Sequence, residues 1–235
     1  MAETNHGRAA TIVIDATIVS SDSGPRHGHP SGEVAAILLA GGSSSRMGRP
    51  KATLPLGSTT FVAAGLRALG RAGFAPILLV SGEHTPETLE AIPEEVPVTR
   101  LRNPTPEDGQ LSSLKLALAK VVELSTPSAA LMSLVDHPAV RDDTLRRLRD
   151  AASPGTIVVP RFKGQRGHPV VFGCELFPEL LATPNDQGAR AVVRRDPDRV
   201  VEIETGDRGV VLDIDTPGDL QALREHQQRS QPLRS

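Results

Sequence analysis

A glycine-rich loop with basic residues follows the first long apolar run of the sequence. The apolar run covers residues 34–40, and the loop reads Gly-Gly-Ser-Ser-Ser-Arg-Met-Gly-Arg-Pro-Lys over residues 41–51. Glycines allow a backbone to approach phosphate groups and to present its amide donors, and Arg46 and Lys51 add positive charge. The spacing matches neither a P-loop nor the dinucleotide-binding fingerprint. The loop therefore predicts a site for a triphosphate.

Acidic residues follow two other predicted strands. Asp136 comes directly after the apolar run 129–135, and Asp213 and Asp215 follow a short predicted strand at residues 210–212. Because side chains alternate along a strand, Asp213 and Asp215 should share one face. Mg²⁺ prefers oxygen ligands and usually takes one or two protein carboxylates, which makes these residues candidate ligands. Capping of a turn or helix is the alternative for Asp136 and Asp215.

Apolar runs and amphipathic segments alternate through the middle of the chain. The predicted strands cover residues 34–40, 77–80, 129–135, 156–159, 169–172, 200–203 and 210–212. The predicted helices lie at residues 59–72, around 111–122, from Asp142 or Asp143 through Leu148, from residue 186, and after Asp215. This alternation predicts an α/β fold with a single doubly wound, mostly parallel sheet. Ligands of such sheets bind beyond the carboxyl ends of the strands.

The two ends of the chain differ from this middle part. We predict that residues 1–32 are an N-terminal extension, because residues 20–32 are rich in turn formers and lack a helix or strand period. The apolar stretch at residues 11–19 fits either an added edge strand or a disordered segment. Residues 33–228 are predicted to form the domain, and residues 229–235 a polar tail.

The composition argues against several classes of partner. Five Phe and no Trp or Tyr leave too few rings for a base-stacking surface, and the formal net charge is -2. No apolar run approaches the ~20 residues of a membrane-spanning helix. The single cysteine, Cys174, allows no intrachain disulfide, which fits a reducing compartment. We therefore expect a cytoplasmic protein with no nucleic-acid or membrane partner.

The loop at residues 39–55 resembles the signature of the molybdenum-cofactor nucleotidyltransferases. That signature is Leu-Ala-(Ala/Gly)-Gly, three variable residues, Arg-Met-Gly, and then Lys before an aliphatic-Pro segment. The resemblance continues to about residue 222 and includes Asn103, Gly109 with Ser112 and Ser113, Asp136-His-Pro138, Gly167-His-Pro169, Asp186-Gln-Gly-Ala-Arg190, and Asp213-Ile-Asp-Thr-Pro217. This set looks most like the cytidylyltransferase branch, and it implies a Rossmann-like nucleotidyltransferase fold.

The resemblance implies a role for each matching residue. Arg46, Lys51 and Asp136 would be catalytic, and Mg²⁺ would bind Asp136 and Asp215, with Asp213 as a further candidate ligand. The nucleotide would lie against Leu39, Ala40, Gly41, Gly42, Gly48, Asn103, Gly109, Ser112 and Ser113, and the acceptor against His168, Gly188 and Arg190. Plainer alternatives stay open, because Ser112, Ser113 and Asp186 suit helix capping and a histidine beside a turn is often merely solvated.

The implied activity is transfer of a nucleoside monophosphate, with CTP favoured, to the phosphate of molybdopterin, with release of pyrophosphate. A molybdoenzyme or its chaperone would be a further partner. Guanylyl transfer to the same acceptor stays open, because Gly41 stands where cytidylyl-transferring relatives tend to have Ala. The remaining alternatives are a sugar-phosphate nucleotidyltransferase and a nucleotide-binding maturation chaperone without catalysis.

Overall fold

A computed structural model describes most of the chain after its first 31 residues. The described residues are 32–41, 50–82, 86–216, 218–221 and 223. The predictions for the N-terminal extension up to residue 31, for Gly42, Arg46 and Gly48 in the glycine-rich loop, and for the polar tail lie outside these residues. Within the described part, no helix is long and apolar enough to cross a membrane.

Strands and helices alternate along the described part. The strands are β1 (Val34–Leu39), β2 (Pro55–Leu56), β3 (Thr59–Thr60), β4 (Ile77–Ser81), β5 (Thr99–Arg102), β6 (Ala129–Leu134), β7 (Ile157–Phe162), β8 (Gln165–Arg166), β9 (Val170–Gly173) and β10 (Val200–Glu204). The α-helices are α1 (Phe61–Arg71), α2 (Pro86–Glu90), α3 (Gln110–Leu124), α4 (Asp142–Asp150), α5 (Phe177–Ala182) and α6 (Arg190–Arg195). Residues 218–221 are also helical.

One sheet runs through the described part in the order β10-β7-β9-β6-β1-β4-β5, and β8 pairs with β7. The strands β5, β4, β1 and β6 are parallel, and so are β7 and β10, whereas β9 is antiparallel to both of its neighbours. In the central register, Leu39 of β1 lies opposite Val80 of β4 and Leu134 of β6. The carboxyl ends of these strands therefore meet at one edge, and the prediction of a mostly parallel sheet is confirmed.

Helices cover both faces of the sheet because the central strands are apolar on both sides. The alternate residues Val34, Ala36 and Leu38 of β1 belong to one core cluster, which also contains apolar residues of α1 and α4. The residues Ala35, Ile37 and Leu39 belong to a second cluster, which contains apolar residues of α3, α5 and α6. This two-sided core confirms the doubly wound arrangement.

Some predicted elements differ from the structure. The first helix begins at Phe61 rather than Thr59, because Thr60 is its N-cap and accepts a hydrogen bond from the amide of Ala63 at 3.3 Å. The predicted strand at residues 210–212 is wrong, since Arg208–Val211 is a 3₁₀ helix. Val210 is apolar and fully buried, but it lies in a tight turn, and a three-residue apolar run does not distinguish a strand from a buried turn.

Candidate active site

The carboxyl ends of β1, β4, β5 and β6 surround the first part of the site. The amide of Ala40 donates to the carbonyl of Val80, and the amide of Val135 donates to the carbonyl of Leu39, at 2.8 and 3.0 Å. The Leu39 side chain is buried in the core, so only its backbone is available to a ligand. A Cβ atom at Gly41 would lie 3.8 Å from Ser113 Oγ and 3.9 Å from the amide nitrogen of Gly82. Gly41 therefore faces the start of α3.

Lys51 lies between two carboxylates from distant parts of the chain. It begins the 3₁₀ helix Lys51–Thr53, and its Nζ lies 3.1 Å from Asp136 Oδ2 and 2.5 Å from Asp215 Oδ1. Burial opposes the charge of Lys51, but the hydrogen bonds with Asp215 and Asp136 outweigh that effect and raise the pKa of Lys51. The structure thus brings together three residues that the sequence predicted to act in one site.

The backbone holds Asp136 and Asp215 near each other. Asp136 follows β6, and its carbonyl accepts a hydrogen bond from the amide of Ile214 at 2.9 Å. Ile214 is fully buried, so it anchors its chain neighbours Asp213 and Asp215. Asp219 Oδ2 also accepts hydrogen bonds from the amides of Asp215 and Thr216, at 3.2 and 2.8 Å. The helix cap here is therefore formed by Thr216 and Asp219, and the Asp215 side chain is directed to Lys51.

The donor set fits a divalent cation. Asp136 Oδ1 is buried, and no described residue forms a hydrogen bond with it. A buried carboxylate oxygen without a partner is costly, and a hard cation would satisfy it. No group of three or more His, Cys, Asp or Glu side chains in the described ranges is arranged to hold a metal. Two carboxylates are nevertheless the number that Mg²⁺ commonly takes from a protein when phosphates supply further oxygens.

Asp213 is more exposed than Asp136 and Asp215. The chain has no strand at residues 212–215, so the alternation that was expected to place Asp213 beside Asp215 does not apply. Asp213 is exposed, and its charge acts on His168. Asp213 is therefore a neighbour of His168.

Two histidines form a cluster next to the carboxylates. The rings of His137 and His168 have centroids 5.2 Å apart, and both Nδ1 atoms are buried without a hydrogen-bond partner among the described residues. Burial, and to a smaller extent the charge of His137, lower the pKa of His168 to about 4, while Asp136 and Asp213 oppose the shift. His168 is therefore neutral at pH 7. The sequence singled out His168 but missed His137, although His137 directly follows Asp136.

Asn103 organises the loop before α3. Its Nδ2 donates to Ser112 Oγ and Ser113 Oγ, at 2.8 and 2.9 Å, and its Oδ1 accepts from the amide of Thr105 at 3.0 Å. Ser112 Oγ in turn lies 2.8 Å from the carbonyl of Gly109. Gly109 has φ of 88°, a conformation that favours glycine. Asn103 is buried, so within this loop it acts on the two serines rather than facing solvent.

The predicted acceptor segment starts with a 3₁₀ helix rather than with the predicted α-helix. Asn185–Gln187 is a 3₁₀ helix that contacts α3. Gly188 has φ of 67°, and α6 begins only at Arg190, which is exposed. The contact with α3 joins this segment to the helix that starts at Gln110, next to the predicted nucleotide loop.

Asp207 is a buried acidic residue that the sequence did not single out. Its carboxylate is among the buried polar groups of the core and accepts three hydrogen bonds. The only signal in the sequence was an acidic residue in the turn-forming run Gly206-Asp-Arg-Gly209, which is more typical of a solvated turn.

Comparison with known proteins agrees with this geometry. The family described as "MobA-like NTP transferase domain" matches residues 36–200. The molybdenum cofactor cytidylyltransferase of Escherichia coli K12 is 29% identical over 190 residues, which are 80% of this chain and 94% of that protein. The molybdenum cofactor guanylyltransferase of Rhizobium johnstonii is 31% identical over 150 residues, 63% of this chain and 65% of that protein.

Solved structures show the same relationship. Rv0371c from Mycobacterium tuberculosis H37Rv is similar with a TM-score of 0.70 and 30% identity, over 84% of this chain and 100% of that one. A second structure of Rv0371c, in complex with manganese, has a TM-score of 0.66 and 29% identity, over 82% of this chain and 98% of that one. The family match covers most of the chain, and the chain therefore belongs to the MobA-like NTP transferases and is a nucleotidyltransferase.

Proposed function

We propose that this nucleotidyltransferase moves a cytidylyl group from CTP to the phosphate of a molybdopterin-type acceptor, with Mg²⁺ as its cofactor. The observation that carries the proposal is the cluster at the sheet edge, where Lys51 Nζ contacts both Asp136 and Asp215. Two carboxylates, one after β6 and one in the loop after the 3₁₀ helix Arg208–Val211, with a basic residue between them, provide both a cation site and a charge for phosphates. The cytidylyltransferase similar to this chain supports the choice of nucleotide and acceptor.

Asp136 and Asp215 would hold the divalent cation through Asp136 Oδ1 and the oxygens that now contact Lys51. When bound, the cation supplies positive charge that neutralises the phosphates and the leaving pyrophosphate. The manganese complex of Rv0371c supports a divalent cation in this group of proteins. The Lys51 ammonium group, whose raised pKa keeps it charged, would then turn from the carboxylates to the β and γ phosphates.

The reaction itself needs no nucleophilic side chain. An oxygen of the acceptor's phosphate attacks the α-phosphorus of CTP, a new P–O bond forms, and the bond between the α-phosphorus and the bridging oxygen of pyrophosphate breaks. The protein's part is to position both substrates in line and to stabilise developing charge. We propose that Lys51 and Arg46 stabilise the departing pyrophosphate.

We propose that the nucleotide base lies near Gly41 and the loop that Asn103 organises. Ser112 and Ser113 are fixed by their hydrogen bonds with Asn103, which leaves the start of α3 well ordered for reading a base edge. The proposed acceptor residues His168, Gly188 and Arg190 lie on segments beside the catalytic carboxylates and beside α3. A neutral His168 suits a contact with a neutral polar group of the acceptor.

Guanylyl transfer is the second candidate, and one observation favours it. Among the described residues, an added Cβ at Gly41 would make only ordinary contacts, with Ser113 Oγ at 3.8 Å and the amide nitrogen of Gly82 at 3.9 Å, so the glycine leaves the volume of a methyl group that a larger base could use. The guanylyltransferase similar to this chain is consistent with that possibility. The cytoplasmic location and a molybdoenzyme or chaperone partner stay predictions from the sequence.

The experiment is to measure pyrophosphate release from CTP, GTP, ATP and UTP, each with molybdopterin, with a hexose 1-phosphate, and with no acceptor. We expect release that requires molybdopterin, with CTP as the best donor and a measurable rate with GTP. Mass spectrometry of the product identifies the nucleotide that is transferred. A preference for GTP of about tenfold or more would make the chain a guanylyltransferase, and turnover with the sugar phosphate alone would refute the acceptor.

A further inference from the structure

Hydrogen bonds connect the segment before Asp215 to the segment that follows Asp136. Asp207 Oδ2 accepts hydrogen bonds from the amide of Arg141 and from Thr144 Oγ1, both at 2.8 Å. Asp207 Oδ1 accepts from the amide of Gly209 at 2.9 Å. One carboxylate therefore joins the 3₁₀ helix Arg208–Val211 to the beginning of α4.

Close packing of the two backbones strengthens this connection. A Cβ atom at Gly209 would lie 2.3 Å from the carbonyl oxygen of Ala139, which means that the two backbones touch. On the other side, the carbonyl of Val210 accepts a hydrogen bond from the amide of His168 at 2.7 Å. The turn at residues 207–211 is thus held between the segment after Asp136 and the segment of His168.

Burial makes the position of Asp207 well defined. Its side chain is only 4% exposed, and its ion pair among the described residues is a long one, with Arg141 Nε at 3.9 Å. The carboxylate is therefore satisfied mainly by the hydrogen bonds of Arg141, Thr144 and Gly209, and loss of one donor would leave part of a buried charge without a partner. A carboxylate placed in this way tolerates little movement of the two segments that it joins.

We propose that Asp207 is a positioning residue that sets the separation of the Asp136 and Asp215 carboxylates. It fixes the turn that leads to Ile214, whose amide donates to the carbonyl of Asp136, and so it fixes Asp215 relative to Asp136. The inference rests on the proposed function, because it assumes that these two carboxylates bind the divalent cation. Residues that orient metal ligands from the outer shell commonly change metal affinity by ~10–100-fold when they are replaced.

The test is the affinity for Mn²⁺, measured by electron paramagnetic resonance with the protein saturated with CTP and no acceptor present. We expect Asp207→Asn to weaken Mn²⁺ binding by about 10-fold or more, and Thr144→Val, which removes one donor, by about 3-fold or more. Thr144→Ser restores the hydroxyl and should return the affinity to the wild-type value. If Asp207→Asn does not fold, the Mn²⁺ affinities of Thr144→Val and Thr144→Ser test the proposal without it.

Thr183→Val is the matched control. Thr183 is as buried as Thr144, and its Oγ1 donates to the carbonyl of Glu179 at 2.8 Å. It follows α5, which packs in a different core cluster from α4. The substitution should lower the melting temperature without changing Mn²⁺ affinity. Wild-type affinity in Thr144→Val, or an equal loss in Thr183→Val, would overturn the role of Asp207. If instead Asp136→Asn binds Mn²⁺ as tightly as wild type, the proposed metal site itself fails.

Discussion

The ammonium group of Lys51 is the most important single group in the candidate site. It contacts Asp136 and Asp215, and the proposed reaction moves it to the β and γ phosphates. Lys51→Ala should therefore weaken binding of CTP far more than binding of CMP, which lacks those phosphates. Calorimetry with both nucleotides checks this, with Lys120→Ala as a control because Lys120 pairs with Glu123 in α3. Equal losses for CTP and CMP would contradict the role of Lys51.

Gly41 decides how much room the base has in the proposed site. An added Cβ would make only ordinary contacts with Ser113 and Gly82, so Gly41→Ala should fold normally. A methyl group in a pocket changes discrimination by ~10–200-fold, and we expect GTP use to fall more than CTP use. The measurement is kcat/KM for both triphosphates before and after the substitution. An unchanged ratio would mean that Gly41 does not contact the base.

His168 should make the free energy of unfolding depend on pH. Its pKa of about 4 lies below the ordinary value of 6.5 because of burial and the nearby His137, so the unfolded chain binds a proton more tightly than the folded chain. Stability should be constant above pH 6.5 and should fall by at most roughly 3 kcal/mol as the pH drops towards 4. Urea unfolding in EDTA between pH 7 and 4 measures this. His168→Gln should flatten the slope; an equal slope in that variant would assign it to other groups.

Much of the candidate site could be predicted from single residues, because the charge of a side chain can be read from the sequence without knowing its neighbours in space. Lys51, Asp136 and Asp215 carry charges that phosphates or a cation require, and each lies in or near a recognisable sequence motif. Asp207 and His137 were not predictable in the same way. Asp207 is buried and binds Thr144, which lies 63 residues away in the sequence, and His137 contacts the ring of His168. No local sequence pattern predicts such contacts.

The turn Arg208–Val211 is the element that differs most from its prediction. Gly209 explains why the chain adopts it, because only a residue without Cβ can approach Ala139 so closely. Gly209→Ala should destabilise the fold by ~1–3 kcal/mol, as overpacking commonly does. Urea unfolding measures the change, with Gly206→Ala as control because its Cβ would lie 4.0 Å from the nearest atom. Similar stability in the two variants would show that the contact is not tight.

The long elements were easier to predict than the short ones. The strand at β1 and the helix α3 have apolar patterns that extend over six and 15 residues, and both were confirmed. The short helices α2 and α5, with five and six residues, and the edge strand β5 gave no clear pattern. Their positions depend on packing against neighbours, which the periodicity of a short segment does not reveal.

At the scale of the whole molecule, the sheet brings distant residues to one edge. Four adjacent parallel strands end there, and the loops after them supply Gly41, Lys51, Asn103 and Asp136. The last loop, which follows β10, adds Asp215. The sequence predicted this edge from the alternation of elements alone, because parallel strands must place their carboxyl ends together.

The most direct measurement of the central claim compares pyrophosphate release by the wild-type chain and by Asp136→Asn, at saturating CTP and molybdopterin over a range of Mg²⁺ concentrations. Asp136 follows β6, and its Oδ1 is buried without a hydrogen-bond partner among the described residues. We predict Mg²⁺-dependent release by the wild type and a rate ~10²–10³-fold lower in the variant, with an unchanged circular dichroism spectrum. Near-normal turnover of Asp136→Asn at saturating Mg²⁺ would contradict the account.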